Sequence, residues 1–139
     1  MPAKNLNHDA VREALIADGW TITDDPLRLQ YGGRDLYVDL GAERNTLTAS
    51  KADRSIAVEV QSFANPSDIR NLQEAAGQYG MYRIVLRKID PNRSLYMAIE
   101  QEVFEGILSE PLGEAMRLEF GIELLVFDPI EKRVLRWTS

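Results

Sequence analysis

The stretch IAVEVQS, residues 56–62, decides how this chain is read. Side chains alternate along a strand, so Ile56, Val58 and Val60 share one face while Ala57, Glu59, Gln61 and Phe63 share the other. Glu59 and Gln61 therefore point the same way from the most strand-like segment of the chain. Either a carboxylate and an amide line a site there, or that face of the sheet is wet, as one face of an antiparallel sheet often is.

Working outward, three short strand-like runs precede this segment: TITD, LRLQY and DLYVDL. The last two are joined by Gly32-Gly33, a two-residue hairpin signal. Residues 44–50 are a further strand candidate, and the result is an antiparallel meander of three or four strands. Upstream, NHDAVREALIADG reads as a helix with Asn7 as its cap, Asp9 in the first turn and Gly19 at its stop. Val11, Ala14, Leu15 and Asp18 form its docking stripe, and Trp20 packs beyond the end.

Downstream, Asn65-Pro66 opens a second helix, with asparagine as cap and proline at the first helical position. Ile69, Leu72, Ala76 and Tyr79 recur at helical spacing, and the pattern runs to about Arg87 before the Asp90-Pro91-Asn92 turn. A strand at 93–100 follows, then helical patterns near 101–108 and 111–120, the apolar strand IELLVFD and a last run RVLRWTS. The fold class expected is α/β (α+β): a mixed sheet flanked by helices, in the order helix, meander, helix, strand, with extra helices and strands at the C-terminal end.

The chain has 139 residues, 45% hydrophobic and 27% charged, in the range of one soluble globular domain spanning 1–139. No apolar run reaches bilayer length, so no membrane partner is expected. MPAKNLNHDAVREAL lacks an apolar signal core and there is no cysteine, which excludes disulfides and thiolate metal sites. Cytoplasmic location is the simplest reading. A net charge of −6 argues against a general nucleic-acid coat protein but not against an enzyme acting on DNA. Such an enzyme needs carboxylates in its site and a local basic patch for phosphate. Arg83, Arg87 and Lys88, and the tail EKRVLRW, are the candidates, with an ordinary solvated face as the alternative.

In DLYVDLG the same alternation sets Asp35, Tyr37 and Asp39 opposite Leu36, Val38 and Leu40. If this strand pairs with 56–63, Asp39 lies beside Glu59 and Gln61. Two carboxylates brought together are costly unless neutralised, and a hard cation such as Mg²⁺, or Mn²⁺, is the natural solution. The pattern suggests metal-assisted phosphodiester hydrolysis. In AAGQYGMYR, Gln78 and Tyr82 are four apart and share a helix face. Glutamine there can orient a water or a phosphate, and tyrosine can stack on a base or bond a phosphate oxygen.

MPAKNLNHDAVREALIADGWTITDDP, GGRDLYVDLGAE, IAVEVQSF, AAGQYGMYR and VFDP followed by VLRW together resemble the XisH family, the fdxN-element excision controlling factors, over nearly the whole chain. That family is similar in fold to the PD-(D/E)XK restriction-endonuclease-like superfamily. The resemblance implies a catalytic set of Asp39, Glu59, Gln61 and Gln78, and a metal held by Asp39, Glu59 and the carbonyl of Val60. Gln78 and Tyr82 match the Gln-x-x-x-Tyr signature of RecB-like nucleases. His8 and Glu13 fall where some members add a site residue, and Glu43 either reaches the metal or faces water. The implied partners are DNA, a companion factor XisI and a recombinase.

Gln61 stands where the superfamily motif carries lysine, so the positive charge that offsets charge building on phosphate is absent. Lys51 is a candidate substitute from another backbone position. Two functions follow: a Mg²⁺- or Mn²⁺-dependent DNA endonuclease, or an inactive accessory protein that binds DNA or a partner. A scaffold with no DNA role is a third. Leu108, Leu112 and Phe120 are expected in the core, with a homodimer surface as the alternative.

Overall fold

A computed structural model of the chain describes residues 7–44 and 54–138. It contains α1 (His8–Ala17), β1 (Thr21–Asp24), β2 (Leu27–Tyr31), β3 (Arg34–Val38), β4 (Leu40–Arg44), β5 (Arg54–Val60), α2 (Asp68–Ile89) and β6 (Ser94–Glu100). After these come α3 (Gln101–Glu105), a 3-10 turn at Ile107–Ser109, α4 (Pro111–Glu119), β7 (Leu124–Asp128) and β8 (Arg133–Thr138). The main sheet is mixed, in the order β1-β4-β5-β6-β7-β8, while β2 and β3 form a separate hairpin. The expected mixed sheet flanked by helices is present. Among the described residues, no helix is long and apolar enough to cross a membrane.

The alternation read in 56–62 sorts the core. Ile56, Val58 and Val60 pack with Val11 and Leu15 of α1, together with Trp20, Leu40, Tyr96 and Phe127. Ala57 faces the other way, into a cluster with Leu72, Ala75, Tyr79 and Leu86 of α2 and with Leu27, Leu29 and Val38 of the hairpin. Burying apolar surface on both faces stabilises the sheet at roughly 25 cal/mol per Å². β5 and β6 run parallel with α2 as their crossover, and β6 and β7 run parallel through α3 and α4.

The structure departs from the sequence reading at several points. DLYVDL is not one strand: it breaks at Asp39, and β4 alone pairs with β5, Leu40 opposite Val58. The cause is packing, because Val38 enters the α2-side core and Leu40 the α1-side core. Residues two apart in an unbroken strand share a face, so a bend between them is required. The proposed strand at 44–50 overlaps β4 only at Arg44, and 45–50 lie outside the described residues.

The cap of α2 is Ser67, whose hydroxyl accepts from the Arg70 N–H at 3.2 Å. Asn65 instead accepts from the Ser67 N–H at 2.8 Å, so Asn65-Pro66 forms the turn before the helix. Asn7 precedes α1 without a capping bond, and its amide donates to Glu100 at 2.7 Å. Asp18 leaves the docking stripe to pair with Arg44 at 3.3 Å. Gly32 and Gly33, at φ 60° and 76°, make the hairpin turn as read. Leu108 is fully buried, whereas Leu112 and Phe120 are half exposed, so only the first is core.

Candidate functional site

Asp39 occupies the bend between hairpin and sheet, and this position aims it at the end of β5. Its Oδ2 accepts from the Val60 N–H at 2.8 Å. Glu59, one residue earlier, faces α2 from between the buried apolar residues Val58 and Val60 and is only 8% exposed. Its Oε2 is buried with no hydrogen-bond partner. Burial, then the charge of Asp39, then a hydrogen bond between the two side chains push the Glu59 carboxyl up to about 9. The pair is thus two carboxyl groups that cannot both ionise without a counter-charge.

Gln61 follows β5 and is held by its own N–H, which donates to the Ala98 carbonyl at 3.0 Å. Its side-chain amide donates to the carbonyl oxygen of Gln78 on α2. Tyr82, one helical turn further, has its phenol pushed up to about 12 by burial and then by the charges of Glu59 and Asp39. It therefore stays a hydrogen-bond donor at neutral pH. The loop between β5 and α2 is tied down by buried Asn71, which donates to the carbonyls of Phe63 at 3.2 Å and Asn65 at 2.8 Å and accepts from the Asn65 N–H at 3.1 Å.

His8 approaches from α1. It is buried, its Nε2 lies 2.6 Å from Asp25 Oδ1, and its Nδ1 lies 3.8 Å from Asp39 Oδ1. Asp25 also pairs with Arg12 at 3.1 Å. A ring fixed at one nitrogen by a carboxylate presents the other in a set orientation, here toward Asp39.

The donors fit a hard, oxygen-binding cation: two adjacent carboxyl groups, one oxygen of which is buried and unpartnered. Among the described residues there is no group of three or more His, Cys, Asp and Glu side chains placed to hold a metal. Any cation here would rely on two carboxylates, with the backbone, water and a substrate oxygen completing its shell.

With this geometry established, comparison with known proteins fixes the family. The family described as XisH protein matches residues 1–135. The chain belongs to the XisH family. A crystal structure of an XisH family protein from Nostoc punctiforme PCC 73102 superposes with a TM-score of 0.88 at 32% identity, covering 97% of this chain and 100% of that one. A crystal structure of a fdxN element excision controlling factor protein from Anabaena variabilis does so with a TM-score of 0.88 at 34% identity, covering 98% and 100%. No curated protein matches. Within this XisH fold, the structure brings together Asp39, Glu59, Val60, Gln61, Gln78, Tyr82 and His8.

Three expected residues fall elsewhere or out of view. Glu13 is exposed and pairs with Lys132 at 2.9 Å, because its helical position turns it toward the β7–β8 turn. Glu43 sits opposite Ser55, four residues along β4 from Asp39, or about 13 Å at the rise of a strand. Lys51 lies outside the described residues. The tail patch is also partly spent: Lys132 holds Glu13, and Arg136 lies over Phe104 at 4.9 Å.

Asp25 and Asn71 were missed from sequence. Asp25 is hidden in a Thr-Asp-Asp-Pro turn whose only signal is the turn itself, and Asn71 looks like any polar helical residue.

Proposed function

We propose that this XisH protein acts on DNA during excision of a DNA element, as a divalent-metal-dependent phosphodiester hydrolase. The observation that carries the reading is the buried, unpartnered Oε2 of Glu59 beside Asp39. A cation there would neutralise the pair, polarise a phosphate oxygen and lower the pKa of a water. The fdxN element excision controlling factor of Anabaena variabilis supplies the cellular role, and we carry that role to this chain. The element order, with an acidic pair at the end of a central strand, is similar to that of the PD-(D/E)XK nucleases.

In this reading Asp39, Glu59 and the Val60 carbonyl hold Mg²⁺ or Mn²⁺. The Val60 N–H and His8 fix the Asp39 carboxylate from two sides. Bonded to each other, Gln61 and Gln78 keep one oxygen and one N–H₂ group to orient the attacking water against the phosphate. Tyr82 donates to a phosphate oxygen. No cation stands at the position of Gln61, and loss of one such stabilising group costs on the order of a hundredfold in rate.

A second reading, an accessory protein without turnover, is favoured by Gln61 itself, a neutral amide bonded to Gln78 at the position where the superfamily motif carries lysine. It is also favoured by the exposed apolar side chains Ile69 and Ile84 on α2, Leu112 on α4 and Phe120 just after α4. We assign that face to the XisI-like companion acting with a recombinase, with a second copy of the chain as the alternative.

The deciding experiment is cleavage of single-stranded, duplex and branched DNA with Mn²⁺ by the natural protein, Asp39→Ala and Gln61→Lys. Cleavage that disappears in Asp39→Ala supports the hydrolase. If neither the natural protein nor Gln61→Lys cleaves, and Asp39→Ala still binds the companion, the accessory reading replaces it.

A further inference from the structure

At the opposite end of the sheet from Asp39 and Glu59, a cleft of about 200 Å³ opens between the last turns of α2, the start of β6 and the segment before β7. Ser94, in its lining, pairs with Ile56, whereas Met97 pairs with Glu59. The cleft is thus three residues, about 10 Å, from Glu59 along the strand. It also lies on a different flank of α2, because Arg83 and Arg87 are each five residues beyond Gln78 and Tyr82, a rotation of about 140° around a helix.

Three arginines line this space: Arg83, Arg87 and Arg93. Two are held in place. Arg83 Nη1 donates to the Phe120 carbonyl and, at 3.5 Å, to that of Gly121, and its guanidinium lies over the Tyr79 ring at 5.4 Å. Those partners fix its position and leave its charge uncancelled. Arg93 donates to Asp90 at 2.9 Å and to the Ile56 carbonyl at 3.1 Å, with its side chain only 13% exposed. Arg87 is exposed and forms no ion pair among the described residues. Glu123 is the one carboxylate in the lining, and Asp90 stands behind Arg93. Arg93 is neutralised by Asp90 and reaches Gly41, where the Asp24 carboxylate also stands, so Arg83 and Arg87 against Glu123 leave the local excess of positive charge in a chain whose net charge is −6.

We propose that this cleft is a second ligand site that takes a phosphate group, carried as inorganic phosphate or as the phosphate of a small monoester such as a nucleotide. Planar guanidinium forks match tetrahedral oxyanions through paired charge-assisted hydrogen bonds, and two of the three are already immobilised, which lowers the ordering cost of binding. The volume admits a phosphate and a water or two, so any nucleoside attached to it would project outward. The site does not depend on the Asp39–Glu59 reading.

The test is titration of the full chain at low salt with inorganic phosphate and with AMP, following the backbone amide signals of Ser94 and Gly121 by NMR. Saturable shifts at those amides are expected. Arg87→Gln, an exposed change that leaves the fold intact, should weaken binding about tenfold, the loss expected for a charge-assisted hydrogen bond. Asp39→Ala should leave it unchanged, which separates this site from the metal pair. Absence of saturable shifts, or equal affinity in Arg87→Gln, overturns the proposal. So does a response confined to duplex DNA lacking terminal phosphates, which would make the arginines a backbone contact instead.

Discussion

Val58 and Glu59 are neighbours on one strand and meet opposite worlds. Val58 enters an apolar layer closed by α1, and nothing charged belongs there. Glu59 enters the layer closed by α2 and finds Asp39, Tyr82 and an unpartnered carboxyl oxygen of its own. One face of β5 is built for stability and the other holds a deliberate electrostatic conflict. The fold carries that cost because the remaining core is large and continuous on both sides of the sheet.

The sharpest way to break the contrast is to move the charge across. Val58→Asp would bury a carboxylate with no partner and should remove more than about 3 kcal/mol, leaving little folded protein in a denaturant melt. If Val58→Asp melts like the natural chain, the two faces do not differ as described.

Next in size is the loop that positions Gln61. Asn71→Ala removes three hydrogen bonds around Phe63 and Asn65 and should cost about 2 kcal/mol in urea unfolding. A change under about 0.5 kcal/mol would mean that the loop is held by other contacts.

Glu59 gives a pH signature. Its carboxyl binds a proton up to about pH 9 in the folded chain, against about 4.5 for an unperturbed one. Between those values the folded state holds more protons than the unfolded state, so stability of the metal-free protein falls as pH rises, with the penalty absent below 4.5 and complete above 9. Glu59→Gln should flatten this slope and raise stability at pH 8 by about 1 kcal/mol or more. A melting temperature that falls equally in both proteins from pH 5 to 8 would place the titrating group elsewhere.

The smallest effect is expected at Glu13. Its exposed pair with Lys132 should contribute about 0.5 kcal/mol or less, and Glu13→Ala should leave DNA activity and metal affinity untouched.

The sequence carried the layer order well, because β5, α2 and β6 announce themselves by period, and the glycine pair marks the hairpin. It also carried the acidic pair, since alternation sets Glu59 against its apolar neighbours. What it did not show was the bend at Asp39. DLYVDL has an unbroken strand period, and only the rival pull of two cores on Val38 and Leu40 divides it. Tertiary packing overrode a local pattern there. Asp25 was hidden for a related reason, because its role depends on where α1 docks. Glu13 lies away from the acidic pair because a rotation around α1 decides what it reaches, and of the two places expected for Glu43 the structure has the one that faces water.

The most direct test of the acidic pair is calorimetric titration of Mn²⁺ into the metal-free protein and Asp39→Ala at pH 7.5, in two buffers of different ionisation enthalpy. The expected result is one cation per chain, bound with release of about one proton as Glu59 ionises, and no binding in the variant. Binding that survives Asp39→Ala, or none in the natural protein, would contradict a cation site at Asp39 and Glu59.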